Sequence, residues 1–380
     1  MQRATQKRLF EEIKSYYRAN STKLAESEIR HPASAYFDPN YLERERKLLW
    51  RHPQIVGHAG DLAKAGDFIA HDDGGVPILV SRQSDGSLKA FQNICSHRGS
   101  RVCTEPAGNR TNFTCPYHAW TFRNDGRLLA APRDAFPNLD RASAGLVELA
   151  VEQRHGLIWV VMTPGLGIDV AAHLGPLDEE LASYGMGDFV LQRDDVLTPQ
   201  INWKSVLDGF MEVYHFPKLH ANSIAPWFYG THSPFDKFGI HSRLVGVRKS
   251  FDMIADKPFD EIEMMPHVAV NYQIFPNTII VWQGDHFEVW TSYPGTEAGS
   301  CIVRVQSIIS KESAVPERQS RWDRNWKIMI ETVVNEDWAM SHDVQRTLPF
   351  KSNKEIIFGA NEPGLQHMHG MLDAAVRAET

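Results

Sequence analysis

The sequence predicts an α+β fold: helices at the amino terminus, then an all-β domain, then a larger domain that mixes an antiparallel sheet with helices. Three observations carry that prediction. Near the start, Leu9, Phe10, Ile13, Tyr16 and Tyr17 recur at helical spacing and share one face. From about Pro53 the chain changes to short apolar runs, such as 76–80 and 157–162, separated by Gly74-Gly75, Asp85-Gly86 and Asp125-Gly126. That alternation reads as strands and turns. Beyond about residue 170 both periodicities occur. The expected partition is an N-terminal helical segment over 1–52 that packs on the third domain, a β domain over 53–165 and a third domain over 166–380.

Taken in order, Asp38-Pro39 reads as an N-cap followed by proline in the first turn of a helix reaching Trp50. Thr163-Pro164-Gly165 closes the β domain. Helices are expected over 178–184 and 202–214, the second capped by Asn202 with an apolar stripe of Trp203, Leu207, Phe210 and Tyr214. Strands are expected over 242–252, 268–275, 278–283, 286–293 and 301–309, with a hairpin at Gly284-Asp285. A long helix over 316–346 ends the fold proper.

The formal charge of −7 over 380 residues argues against a nucleic-acid binder, which carries a basic face. Arg3, Lys7 and Arg8 are not followed by an apolar segment, so no secretory signal is expected. The longest apolar runs, such as 156–162, have strand length, so no membrane span is expected. Four cysteines are too few for a disulfide framework, and two of them have histidines close behind, which points to metal chemistry in the cytoplasm.

Those two cysteines form Cys95-Ser96-His97 and Cys115-Pro116-Tyr117-His118, a C-x-H-x17-C-x2-H pattern. Each half presents one thiolate and one imidazole from a loop between strands. The four side chains suit one tetrahedral zinc, or one two-iron cluster with cysteines on one iron and histidines on the other. Neutral imidazoles in place of thiolates raise a cluster's reduction potential, whereas zinc ribbons more often use two C-x2-C knuckles. Cys103 and Cys301 lack histidine neighbours and read as buried apolar residues.

A second constellation lies between Asp208 and His220. His215 and His220 are five apart, a spacing that points side chains away from each other on a regular helix. Pro217 lies between them and disrupts the helix, which allows His220 to swing back toward His215. Asp208, Glu212 and His215 follow an i, i+4, i+7 stripe. That stripe brings an acid to a ring nitrogen, as behind metal-bound histidines. The plainer reading is a helix end with surface histidines. Further on, Trp326, Ile330, Val333, Asp337, Met340 and Val344 share a face of the last long helix. An aspartate on that apolar stripe needs a partner, unless it marks the helix–surface boundary. Glu336 is expected to point elsewhere.

Cys95-Ser96-His97-Arg98-Gly99 and Cys115-Pro116-Tyr117-His118-Ala119-Trp120 resemble the cluster loops of Rieske non-haem iron ring-hydroxylating oxygenases, large (α) subunit. Asn202-Trp203-Lys204, followed by Tyr214-His215 and His220, is similar to that family's iron-binding segment, and Glu336-Asp337 with Gln345-Arg346 resembles its late carboxylate segment. The likeness runs from about Tyr36 to Arg346. It implies a [2Fe-2S] cluster on Cys95, His97, Cys115 and His118, and a helix-grip-like catalytic domain with a mononuclear Fe(II) on His215, His220 and Asp337. Glu212 would link His215 to His118 of an adjacent subunit, although many members carry the shorter aspartate there. Asp208 would support the same network or merely solvate its helix.

The likeness also implies use of O2, with electrons from NAD(P)H through a separate reductase and sometimes a ferredoxin, because no Gly-rich nucleotide turn follows a strand here. A homotrimer is implied. The reaction would be hydroxylation, dihydroxylation or O/N-demethylation of a small substrate. Phe210, Trp227, Phe228, Phe275, Trp282 and Trp290 either line an apolar pocket for an aromatic ring or form a cage for a quaternary ammonium group. Such rings are more often ordinary core. Arg243 and Arg248 are expected in solvent, with a substrate carboxylate as the alternative. Two rival classes remain: a zinc hydrolase with a structural zinc ribbon and Glu212 as base, and a Rieske electron carrier without its own chemistry.

Overall fold

The computed structural model describes residues 1–132 and 134–378. The chain forms two compact units, one from Leu49–His173 with Met186–Asp188, the other from Met1–Leu48, Leu174–Gly185 and the chain from Phe189 onward.

In the first of these, seven strands form an antiparallel sheet in the order Gln54–His58, Leu157–Val161, Glu148–Arg154, Leu88–Gln92, Ile78–Arg82, Asp67–His71 and Ala107–Asn109. Leu157–Val161 is buried along its whole length, as a β-branched and aromatic run packed on both faces should be. A smaller sheet holds Asn112–Thr114, Thr121–Arg123 and Leu128–Ala130. The Asp85-Gly86 turn forms as expected, with Ser87 N donating to Asp85 Oδ1 at 2.9 Å and Gly86 at φ +86°. At Gly126, also at positive φ, a Cβ would lie 2.3 Å from the Phe91 ring, so only glycine fits. Phe68, Phe91, Phe113, Trp120 and Phe122 pack together around Cys95 and Cys115.

The second unit is built on a seven-stranded antiparallel sheet in the order Phe189–Leu197, Cys301–Ser310, His286–Pro294, Thr278–Trp282, Val268–Ile274, His241–Val247 and Phe235–Phe238. The helix Arg3–Ala19 buries Leu9, Phe10 and Ile13, with Phe10 against Phe251 and Phe259 at 5.6 and 5.7 Å between centroids. Asp38 caps the helix Pro39–Arg51 by accepting from Asn40 N at 2.8 Å.

Three expectations need correction. The helix expected over 202–214 stops at Asp208, because Glu212 and Asn271 capture the backbone that would have continued it. The long last helix is Gln319–Thr332 and Trp338–Thr347 with a π turn, Val333–Asp337, between them. Arg243 is not in solvent: it is 1% exposed, bonded to Glu180 at 2.6 Å and Asp236 at 2.7 Å.

Candidate metal centres

The segment bearing the two histidines is held at its head by buried polar contacts. Asn202 caps the helix Trp203–Asp208 by accepting from Lys204 N at 3.0 Å, and its amide donates to the Tyr36 and Ala298 carbonyls. Lys204 Nζ lies 2.6 Å from Glu45 Oε1, and Trp203 Nε1 donates to Glu45 Oε2 at 2.9 Å. Past Asp208 the backbone turns, and Asn271 Nδ2 donates to the Phe210 carbonyl at 2.6 Å. Glu212 then accepts from His215 N at 3.1 Å with one oxygen, and its other oxygen meets His215 Nδ1. The short helix Phe216–Leu219 starts with Pro217 in its first turn, where the missing N–H costs nothing. One turn later His220 returns beside His215.

The two Nε2 atoms are 3.1 Å apart, and Asp337 Oδ1 lies 3.3 Å from His215 Nε2 and 3.2 Å from His220 Nε2. The ligand atoms of these three residues all lie within 4.8 Å of one another. Glu336, which periodicity turned away, sits 2.6 Å from His220 Nδ1 and accepts from Ser223 Oγ at 2.7 Å. The π turn explains this. It inserts a residue into the helical repeat, so Asp337 reaches both imidazoles while its neighbour Glu336 still reaches His220.

Each histidine thus has a carboxylate on Nδ1, which leaves Nε2 facing the shared centre. Burial alone would push His215 down, but Asp337 and Glu212 outweigh it and raise it to about 9. His220 is raised in the same way, against burial, by Asp337 and Glu336. Burial would raise Asp337, but the two histidines hold it below the usual carboxylate range. The centre therefore favours a cation. Two imidazoles and one carboxylate from one side, with a cavity on the other, fit a ferrous ion better than a closed structural zinc site.

Asp208 faces a different set of groups. It accepts from Tyr36 Oη at 2.7 Å and meets His369 Nε2 at 2.7 Å.

In the other unit, the two cysteine loops repeat one backbone design. Cys95 N donates to Ser100 O and Gly99 N to Cys95 O; Cys115 N donates to Trp120 O and Ala119 N to Cys115 O. Gly99 and Ala119 are both in the left-handed region. The cysteines are buried, at 3% and 2% exposed, whereas His97 and His118 are half-buried, with ring centroids 4.7 Å apart. Burial pushes the Cys95 thiol up and the adjacent Cys115 sulfur adds to this, against backbone N–H groups of His97 and Arg98. Trp120 stacks on His97 at 4.9 Å and 7°. Two adjacent sulfurs inside and two imidazoles outside fit a mixed-ligand two-iron cluster.

A cavity of about 640 Å³ adjoins His220 and Asp337. Phe210, Phe216, Trp227 and Phe228 supply its aromatic wall. Phe275 and Trp290 are fully buried core, and Trp282 packs against Phe287 at 4.8 Å. The helix Gln319–Thr332 covers the cavity with Asn325, Ile328, Met329 and Thr332.

Residues 186–378, just over half of the chain, match the family described as ring hydroxylating alpha subunit (catalytic domain), and residues 52–140 match the Rieske [2Fe-2S] domain. The chain belongs to the Rieske ring-hydroxylating oxygenase α-subunit family, and the α+β architecture expected from the sequence is the one found. Among known proteins it is similar to the glycine betaine monooxygenase oxygenase subunit of Chromohalobacter salexigens, 33% identical over 50% of this chain and 42% of that one. It is also similar to the biphenyl 2,3-dioxygenase subunit alpha of Rhodococcus jostii, 33% identical over 47% of this chain and 41% of the relative. These matches span about two fifths of the relatives' length. The fold resembles that of the quaternary ammonium Rieske monooxygenase CntA in complex with L-carnitine, with TM-score 0.73, 21% identity and coverage of 91% of this chain and 94% of that one.

Proposed function

We propose that this chain is the terminal oxygenase component of a Rieske non-haem iron system, taking O2 and NAD(P)H-derived electrons from a reductase, with or without a ferredoxin, to hydroxylate a small organic substrate. The observation that carries this reading is the meeting of His215, His220 and Asp337 beside a cavity with an aromatic wall. When bound, the cluster supplies electrons singly and the ferrous ion activates O2. Cys95, His97, Cys115 and His118 would hold the cluster; His215, His220 and Asp337 would hold the iron.

Glu212 touches His215 on one side, and on the other it lines a small cavity together with Tyr214, which is itself exposed. That placement supports a relay role, in which Glu212 connects the iron site to a cluster presented by a second copy of the chain in a homotrimer. Asp208, through Tyr36 and His369, anchors the turn that carries Glu212. Phe210 packs on Trp290 at 5.0 Å and presents an edge of the substrate wall. A cytoplasmic setting suits the free thiols, and no helix among the described residues is long and apolar enough to cross a membrane.

Oxidation at an N-methyl group of a quaternary ammonium compound is the second reading. It is favoured by the aromatic wall of Phe210, Phe216, Trp227 and Phe228, whose ring faces attract such a cation. Metal analysis with an absorption spectrum tests the class: about three irons per chain and a red-brown colour are expected. A colourless zinc protein, or one whose oxygen uptake with reductase never responds to aromatic acids or trimethylammonium compounds, overturns the proposal.

A further inference from the structure

Among the described residues, the cavity is lined by one cation, Arg248, that forms no ion pair. Arg248 and Arg243 belong to the same stretch of chain, yet their surroundings are opposite. Arg243 is enclosed by two carboxylates. Arg248 lines the cavity, and among the described residues no carboxylate lies within ion-pair distance of it. Its Nη2 donates to the Gln283 carbonyl at 3.1 Å and side-chain oxygen at 3.0 Å, and its guanidinium lies over the Phe228 ring at 4.6 Å. Its Nε is buried with no acceptor. Burial pushes this guanidinium below its ordinary range despite Glu288 and Asp285 further away. Holding an arginine half-buried and unpaired is unfavourable, unless a ligand completes it.

The remaining charges near this end offset one another closely. Asp285 is shared by Arg321 and His286, and His286 Nε2 lies 3.7 Å from Glu288. With His286 protonated, Arg248, His286 and Arg321 exceed Asp285 and Glu288 by one positive charge. That excess suits a monoanion and is too small for a phosphate dianion. A planar carboxylate also matches the guanidinium fork.

Strand register places this cation away from the iron side. Asn271, which holds the Phe210 carbonyl, pairs with Leu244. Gly246 and Arg248 follow at alternate positions and line the cavity. At roughly 3.3 Å per residue, Arg248 branches from the sheet ~13 Å beyond the Asn271 row. Even with the side chain reaching back, an anion held there lies several bonds from an atom beside His220 and Asp337.

We infer that Arg248 selects the substrate, and that this substrate is a small molecule with one carboxylate several bonds from the carbon that reacts. This rests on the cavity being the oxygenase's substrate site. Arg248 is a binding residue and takes no part in the oxidation.

Calorimetric titration of the purified holoprotein with matched acid–amide pairs tests it: 3-phenylpropanoate with 3-phenylpropanamide, and γ-butyrobetaine with its primary amide. A charge-assisted hydrogen bond is worth about ten- to a hundredfold in affinity, so at least one acid should bind tighter than its amide by that factor. In Arg248→Gln the ratio should fall to about one with the amide's affinity kept, and Arg248→Lys should lie between. Equal affinities in every wild-type pair, no binding by any acid, or a preference that survives in Arg248→Gln overturns the inference. If Arg248→Gln does not fold, the wild-type ratios and Arg248→Lys still decide. Metal content and oxygen uptake on the same preparation separate the two readings. Equal uptake with amide and acid defeats the role of Arg248 and leaves the oxygenase standing. Zinc with the acid preference intact does the reverse.

Discussion

Replacing Glu336 by Gln removes one negative charge from the back of His220 while keeping the side chain's shape. In the structure Glu336 Oε2 is 2.6 Å from His220 Nδ1 and 2.7 Å from Ser223 Oγ. The first contact fixes the ring so that Nε2 faces His215 and Asp337. Hydrogen bonds to a charged group contribute about 1.5–3 kcal/mol, and loss of a carboxylate behind a metal-bound histidine costs about 10- to 100-fold in affinity. Competition with a ferrous chelator under anaerobic conditions should show Fe(II) bound more weakly by that factor in Glu336→Gln. The cluster's visible spectrum, which depends on residues in the other unit, should not change. Asp337→Asn should lose more iron than Glu336→Gln, because it alters the shared oxygen itself. An Fe(II) affinity in Glu336→Gln equal to the wild type would show that His220 is oriented by its backbone alone.

Other substitutions probe other parts of the argument. Glu212→Gln should keep the cluster, bind Fe(II) more weakly by a factor like that of Glu336→Gln, and lose turnover even when saturated with iron; oxygenation at the wild-type rate in the iron-saturated variant would remove Glu212 from the electron path. Lys204→Met strands Glu45, at 0% exposed beside a lysine at 1%, and should destabilise the fold by about 3–5 kcal/mol. The double change Lys204→Met with Glu45→Leu should recover much of this in urea unfolding, and an equal loss in both would show that packing, not charge, is at stake. Burial would lower His286, but Asp285 and Glu288 outweigh it and hold it at about 9 against an ordinary 6.5. Its pairing therefore stabilises the fold fully below about pH 6.5 and is lost as pH rises through about 9, an effect on the order of a few kcal/mol. Unfolding midpoints should fall over that window in the wild type and stay flatter in His286→Gln.

Much of the candidate site was legible in the sequence because its ligands are local. Each cysteine loop places a thiol and an imidazole within one turn, so the order Cys95, His97, Cys115, His118 describes the geometry almost directly. Pro217 made the return of His220 readable, and a helical stripe led to Asp337. Glu336 was not legible, because a regular helix turns adjacent residues about 100° apart and nothing local marks the π turn over Val333–Asp337. The early end of the helix Trp203–Asp208 depended on Asn271, sixty-one residues from the Phe210 carbonyl it holds.

Arg243 and Arg248 draw the line most clearly. Local pattern placed both near one strand, gave the chain an α+β build, and singled out two candidate metal-binding constellations. Only the folded chain decided that Arg243 is saturated by Glu180 and Asp236 while Arg248 opens onto the cavity. Periodicity and ligand spacing act over a few residues and can be read along the chain. Charge pairing depends on which distant segments meet across a strand or a loop, and that is settled by packing.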